Sequence, residues 1–361
     1  MKNQKRDIFI DILKGIGITS IVIGHSSWNM PLTQFPIGPF VYTYHIMLFF
    51  FVAGMCFRPQ KNVTPYHLVG KRLGGLLPLY VKYSVFFVLI HNILKRMHIL
   101  DQNSIIYGKT DILNQIANSC VLSGTEQMLG AFWFVPMFFV GVSMFLILYY
   151  QAEKVRCSKV AHALFALLTA VVGVWLNCRQ SYLQYHIQTS FLGVAVIYLG
   201  YLFQQYRSTI LKYIKWWMAI IFGLFLWKLL ALNIGIVELS VNQIIQPLLF
   251  YPVTIIGILF CICIAQALEK VKRVGEAFAV LGKNSYHIMA LHFFVFKLID
   301  LFYGRITGAD VETISHFPYA FENLWLVYYI CGVGIPVLII YILKKGTSIV
   351  DRGVRIKFGI K

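Results

Sequence analysis

Residues 7–25 read DIFIDILKGIGITSIVIGH, an apolar run that nevertheless carries two aspartates, a lysine and a histidine. Its length matches the roughly 20 residues that a membrane-spanning helix needs. At about 100° per residue, Asp7, Asp11, Lys14 and His25 fall within about 60° of one another, with Ile18, Ile21 and Val22 on the same stripe. Charge inside hydrocarbon is costly and normally faces a bundle interior or a watered cavity. The stretch therefore predicts a helix packed inside a membrane bundle, its polar stripe turned inward.

Composition extends that prediction to the whole chain. Of 361 residues, 58% are hydrophobic and 13% charged, against about 25% charged in an ordinary soluble domain. This excludes a water-soluble globule, a disordered chain and a nucleic-acid binder of the usual kind. Ten runs are candidates to cross a bilayer: 8–28, 39–57, 76–97, 131–150, 160–176, 187–206, 216–233, 243–268, 285–303 and 322–343. The third contains Lys82 and His91, the fifth is short, and 98–130 is too polar to span and reads as the longest loop. The expected architecture is an all-α, polytopic membrane helical bundle of about ten transmembrane helices, a single integral-membrane domain over residues 1–361.

The net charge of +18, from 32 Lys and Arg against 14 Asp and Glu, then acquires a topological meaning. With the N-terminus cytoplasmic, 23 of those cations fall on the inner side, and Lys14, Lys82, Lys228 and Lys297 lie within spans. Only Lys95, Arg96, Lys109, Arg179 and Arg305 fall outside, the asymmetry of the positive-inside rule, and both termini are expected in the cytoplasm. The seven cysteines form no CxxC pair and read as free apolar thiols. No cleavable signal is expected, because the first apolar run holds Asp11 and Lys14 and no small-residue cleavage site follows it.

Charge is scarce in the spans, which makes the polar stripe the guide to function. Asp11 and Lys14, three apart, can pair on their own helix, either as an anchor at its cytoplasmic end or toward a cavity. His25 has no acid nearby in sequence; an imidazole can take a proton from a hydroxyl, so it is a candidate general base beside the plainer reading of a core histidine. The second span runs the opposite way and carries His45 in its outer half, so the two imidazoles can share one cavity. No third ligand of suitable spacing accompanies them, and no metal is expected. Trp28, Tyr42, Tyr44, Trp133 and Phe134 collect near the outer boundary, as an aromatic belt or as a platform for sugar faces.

Five segments occur in a recognisable order: R-D-x3-D-x2-K-G-x9-H (Arg6 to His25), YHIMLFFFVAG (Tyr44 to Gly54), K-R-L-x4-P (Lys71 to Pro78), FWFV (Phe132 to Val135) and L-G-K-N-S-x6-H (Leu281 to His292). Together they resemble the integral-membrane acyltransferase-3 family, in particular its one-domain members related to polysaccharide O-acetyltransferases. The resemblance implies transfer of an acyl group, usually acetyl, from cytoplasmic acetyl-CoA to a hydroxyl of a cell-surface or lipid-linked glycan, in the cytoplasmic membrane of a bacterium. His25 matches the family's catalytic histidine, and Arg72 falls where the family has a cytoplasmic arginine motif linked to the acyl donor. Leu68 and Val69 stand here where that motif has its other arginine.

For such a reaction His25 would deprotonate the acceptor or carry the acyl group transiently, while His45 would orient the acceptor or stabilise the oxyanion. Arg58, Lys71, Arg72 and Lys283 are the inner-face cations available to the phosphates of CoA. Ser285 opens the ninth span, where backbone N–H groups can also meet a phosphate, and His292, seven residues on, falls in line with it. Lys14 and His25 are roughly 16 Å apart along the helix axis, so a donor from inside and an acceptor from outside must meet through a tunnel. Two rivals remain: an exporter of a glycan or lipid intermediate, because embedded Asp, Lys and His also mark proton relays, and acyl transfer to a non-glycan acceptor. The expected partners are a glycan or lipid-linked sugar and the bilayer, not nucleic acid.

Overall fold

The computed structural model describes residues 6–27, 36–124, 126–232 and 235–358, with side chains described to residue 345. Trp28, Lys2, Lys5 and the tail cations beyond Lys345 lie outside the described side chains. The stretch at 7–25 forms helix α1, Ile8–Ser26. Asp7 caps it by accepting from the Phe9 amide at 3.1 Å, which satisfies one of the amides a helix start leaves unpaired.

The 39–57 run is not one helix. It divides into α2 (Ile37–Tyr42) and α3 (His45–Cys56), which places His45 at the first residue of α3. The carbonyl of Thr43, at the break, accepts from the Thr254 hydroxyl at 3.3 Å, as backbone freed inside a membrane requires. Helix α4 (Pro65–Arg96) starts well before residue 76, because Thr64 caps it and Pro65 suits its first position. The 98–130 segment, expected as loop, contains α5 (Lys109–Cys120). Then follow α6 (Phe134–Ala152), α7 (Ser158–Cys178) and α8 (Ile187–Tyr213). After them come α9 (Met218–Ala231), α10 (Phe250–Lys270), α11 (Lys272–Lys283), α12 (Ser285–Thr307), α13 (Val311–Ser315) and α14 (Trp325–Phe358).

No β-strand occurs among the described residues, and nine crossings there are long and apolar enough for a membrane. The expected tenth, 216–233, is the exception: α9 has 14 residues, about 21 Å at 1.5 Å per residue, against a hydrocarbon core of about 30 Å.

Burial separates hub from rim. In α1 and in the α2–α3 crossing 78% of the spanning window is buried, against 17% in α7. The amphipathic α11 lies along α1 at backbone contact. A Cβ on Gly282 would stand 1.9 Å from the Asp11 carbonyl oxygen, and one on Gly15 would stand 2.2 Å from that of Phe278. At the same end Asp11 is buried and accepts two bonds from Arg6 at 2.6 and 3.0 Å, with Lys14 farther off at 3.5 Å. The Asp11–Lys14 pair therefore exists, but the guanidinium of Arg6 is its stronger half.

Candidate functional site

α1, α2, α3 and α12 converge at the end of the bundle opposite Asp11. His25, in the last turn of α1, shares a 3.2 Å hydrogen bond between its Nδ1 and the Tyr42 hydroxyl of α2. The Tyr42 ring meets His45 edge-on at 4.4 Å, and His45 Nδ1 donates to the Val41 carbonyl at 3.0 Å. A neutral His45 thus carries its proton on Nδ1 and presents Nε2 as an acceptor. His292 of α12 stacks on His25 with ring centroids 5.4 Å apart. Three histidines from three segments are gathered, and His25 and His45 both line a cavity of about 270 Å³.

Part of that cavity's wall comes from the aromatic set expected near the outer boundary, and part from loops that the sequence did not announce. Tyr42, Trp133 and Phe134 line it as an aromatic wall, whereas Tyr44 turns away, its hydroxyl on Ser20 at 3.2 Å. Glu238 and Ser240 line it from the loop between α9 and α10. Burial pushes the Glu238 carboxyl above its usual range, and the two hydrogen bonds from Ser240, backbone and hydroxyl at 3.1 and 2.5 Å, partly offset that. Phe317 and Pro318, between α13 and α14, close another side.

The Phe317–Pro318 loop is held by a fully buried ion pair. Lys297 Nζ donates to Asp300 at 2.8 Å and to the carbonyls of Ile314 and His316. Asp300 accepts from the Ala320 amide at 3.1 Å and from the Tyr328 hydroxyl. The one trace of this in the sequence is a Lys and an Asp three apart within an apolar run, the pattern that Asp11 and Lys14 also show.

A second cavity, of about 690 Å³, opens at the Asp11 end. Lys14, Lys71, Arg72, Gln60 and Ser285 stand along it, and beyond them the lining is apolar, with Phe49, Phe138, Phe139 and Leu146. Ile21, Phe134 and Met289 line both cavities, so the two meet at a shared wall. Lys71, Arg72 and Ser285 are thus brought together. Arg58 and Lys283 are not among the lining residues: Arg58 donates to the carbonyls of Met55 and Phe57, closing the end of α3, and Lys283 is exposed at the end of α11.

The arrangement supplies a cation-edged, mostly apolar bore and, behind one layer of side chains, a small chamber with imidazoles, a phenol and a carboxyl. The family model described as an acyltransferase domain matches residues 7–345. No curated protein and no solved structure matches the chain.

Proposed function

The chain belongs to the acyltransferase-3 family and is a membrane acyltransferase, and from that premise we propose that it moves acetyl from acetyl-CoA to a hydroxyl of a glycan or lipid-linked sugar. The observation that carries this reading is the shared wall of Ile21, Phe134 and Met289 between the two cavities. A thioester on a long arm fits the larger cavity, its phosphates at Lys71, Arg72 and Lys14 and its acyl end at the wall. Arginine suits this task because its planar fork gives a phosphate two bonds at once. The acceptor occupies the smaller chamber.

The reaction needs an acceptor oxygen freed of its proton and directed at the thioester carbonyl. In the tautomer that donates its Nδ1 proton to the Tyr42 oxygen, His25 presents Nε2 as the base. The hydroxyl oxygen bonds the acyl carbon, the carbon–sulfur bond breaks, and the proton held by His25 passes to the departing thiolate. His45, accepting through Nε2, takes a neighbouring hydroxyl of the acceptor and so orients it, rather than donating to the oxyanion. Arg207 of α8 pairs with Asp7 at one end of the bundle and Glu238, after α9, lines the chamber at the other, so we count α9 as a short tenth crossing. We place both termini and the Lys71–Arg72 end in the cytoplasm and the histidine chamber on the far face of a bacterial cytoplasmic membrane, in keeping with the charge asymmetry.

The test is His25→Ala in cells and in sealed vesicles supplied with labelled acetyl-CoA on the Lys71 side. Acetylated glycan, read by mass spectrometry, should be lost while the protein still inserts. Unchanged acetylation would overturn the assignment of His25, and Arg72→Ala should raise the KM for acetyl-CoA about tenfold or more, as loss of a charge-assisted contact does.

A further inference from the structure

Glu238 is the one acidic side chain lining the histidine chamber, and no Lys or Arg lines it among the described residues. Its Oε1 is occupied by Ser240, while Oε2 accepts no hydrogen bond from the described residues. The carboxyl is also rigidly presented. Glu238 and Gln243 exchange backbone hydrogen bonds at 2.7 and 2.9 Å across a tight turn. Asn242 in that turn is fully buried, accepts from the Gln188 amide at 2.8 Å and donates to the Ser181 carbonyl at 3.1 Å. A satisfied buried amide network of this kind fixes the backbone that carries Glu238, and the two bonds from Ser240 hold the carboxyl itself.

Chemistry then narrows what can sit there. The chamber, at about 270 Å³, lies below the usual range of about 300–1,000 Å³ for ligand pockets, which suits one ring rather than an extended ligand. An ionised carboxylate only accepts hydrogen bonds, so its free oxygen calls for an O–H or N–H on the ligand besides the hydroxyl that faces His25. A second carboxylate would be repelled, with no lining cation to offset it. Trp133 and Phe317 line the chamber with aromatic surface suited to the C–H side of a ring.

We propose that Glu238 is a specificity-determining residue that selects a neutral sugar unit with a second free hydroxyl and rejects acidic sugars such as uronates. This rests on the glycan acetyltransferase reading and deepens it. The unit binds with its reacting hydroxyl at His25 and another donating to Glu238 Oε2.

The experiment uses the full-length protein in proteoliposomes with labelled acetyl-CoA and a panel of neutral oligosaccharides, each paired with its C6-oxidised uronate. Wild type should favour the neutral member of a pair about tenfold or more, and Glu238→Gln should bring that ratio close to one, the size of a lost charged contact. The ratio within one preparation does not depend on the amount of folded protein. Equal use of both members by wild type, or an unchanged ratio in Glu238→Gln, would overturn the role of Glu238 while leaving glycan acetylation standing. No transfer to any member by wild type would overturn the glycan reading and this assignment with it.

Discussion

The imidazoles of His25 and His292 lie stacked, 5.4 Å apart and 21° from parallel, although one belongs to α1 and the other to α12. His292 Nδ1 donates to the carbonyls of Ile288 and Met289 at 3.1 and 2.9 Å, which leaves its Nε2 a buried acceptor without a partner among the described residues. An unpaired buried polar atom costs about 1–3 kcal/mol. Replacing it with phenylalanine keeps the ring and removes that cost. His292→Phe should therefore melt at the wild-type temperature or above it, yet lose about tenfold or more in kcat if the nitrogen serves the reaction beside His25. Equal kcat would assign His292 to packing alone.

Lys297 and Asp300 act on the chamber through the loop they anchor. Lys297→Met strands a buried carboxylate, and breaking a buried pair costs about 3–5 kcal/mol. Adding Asp300→Leu removes the stranded charge, so the double variant should recover most of the lost melting temperature. Neither variant restores the bonds to the Ile314 and His316 carbonyls, so acceptor KM should stay raised in both while KM for acetyl-CoA stays near wild type. A double variant with normal acceptor KM would separate the ion pair from the chamber.

Gly282 permits the contact between α11 and α1 that sets the Lys14 end of the larger cavity. Gly282→Ala puts a carbon at 1.9 Å from the Asp11 carbonyl, where only backbone movement can relieve it. Overpacking of this kind costs about 1–3 kcal/mol. Lower yield and melting temperature in detergent are expected, together with a raised KM for acetyl-CoA, whereas alanine at Gly70, which has open space beside it, should be tolerated.

The carboxyl of Glu238 titrates above its usual range because burial disfavours its charge. A raised value in the folded state favours the protonated form. The stability it contributes is therefore fully present below the ordinary carboxyl pKa, about 4.3, and is lost as pH rises through the folded value. Glutamine does not titrate. The melting temperature of Glu238→Gln relative to wild type should thus climb as pH rises above about 4; a difference that stays constant with pH would mean that the fold does not disfavour the charge.

Local pattern alone determined the all-α membrane class, the polar face of α1 and the pairing of His25 with His45 at similar depth. Hydropathy and the helical period are properties of adjacent residues, and bilayer thickness converts them directly into spans. The same logic leaves helix length open where a run is marginal, as in α9, and misses an interruption, as at Thr43 and Tyr44. Tertiary structure decided the rest. It brought His292 against His25, set Lys71 and Arg72 beside one cavity while leaving Arg58 and Lys283 off it, and carried Glu238 into the histidine chamber. Each of these depends on how far helices slide and rotate against one another. Backbone contacts such as Gly15 and Gly282 against α11 and α1 set that register, and no short window of sequence contains both sides of such a contact.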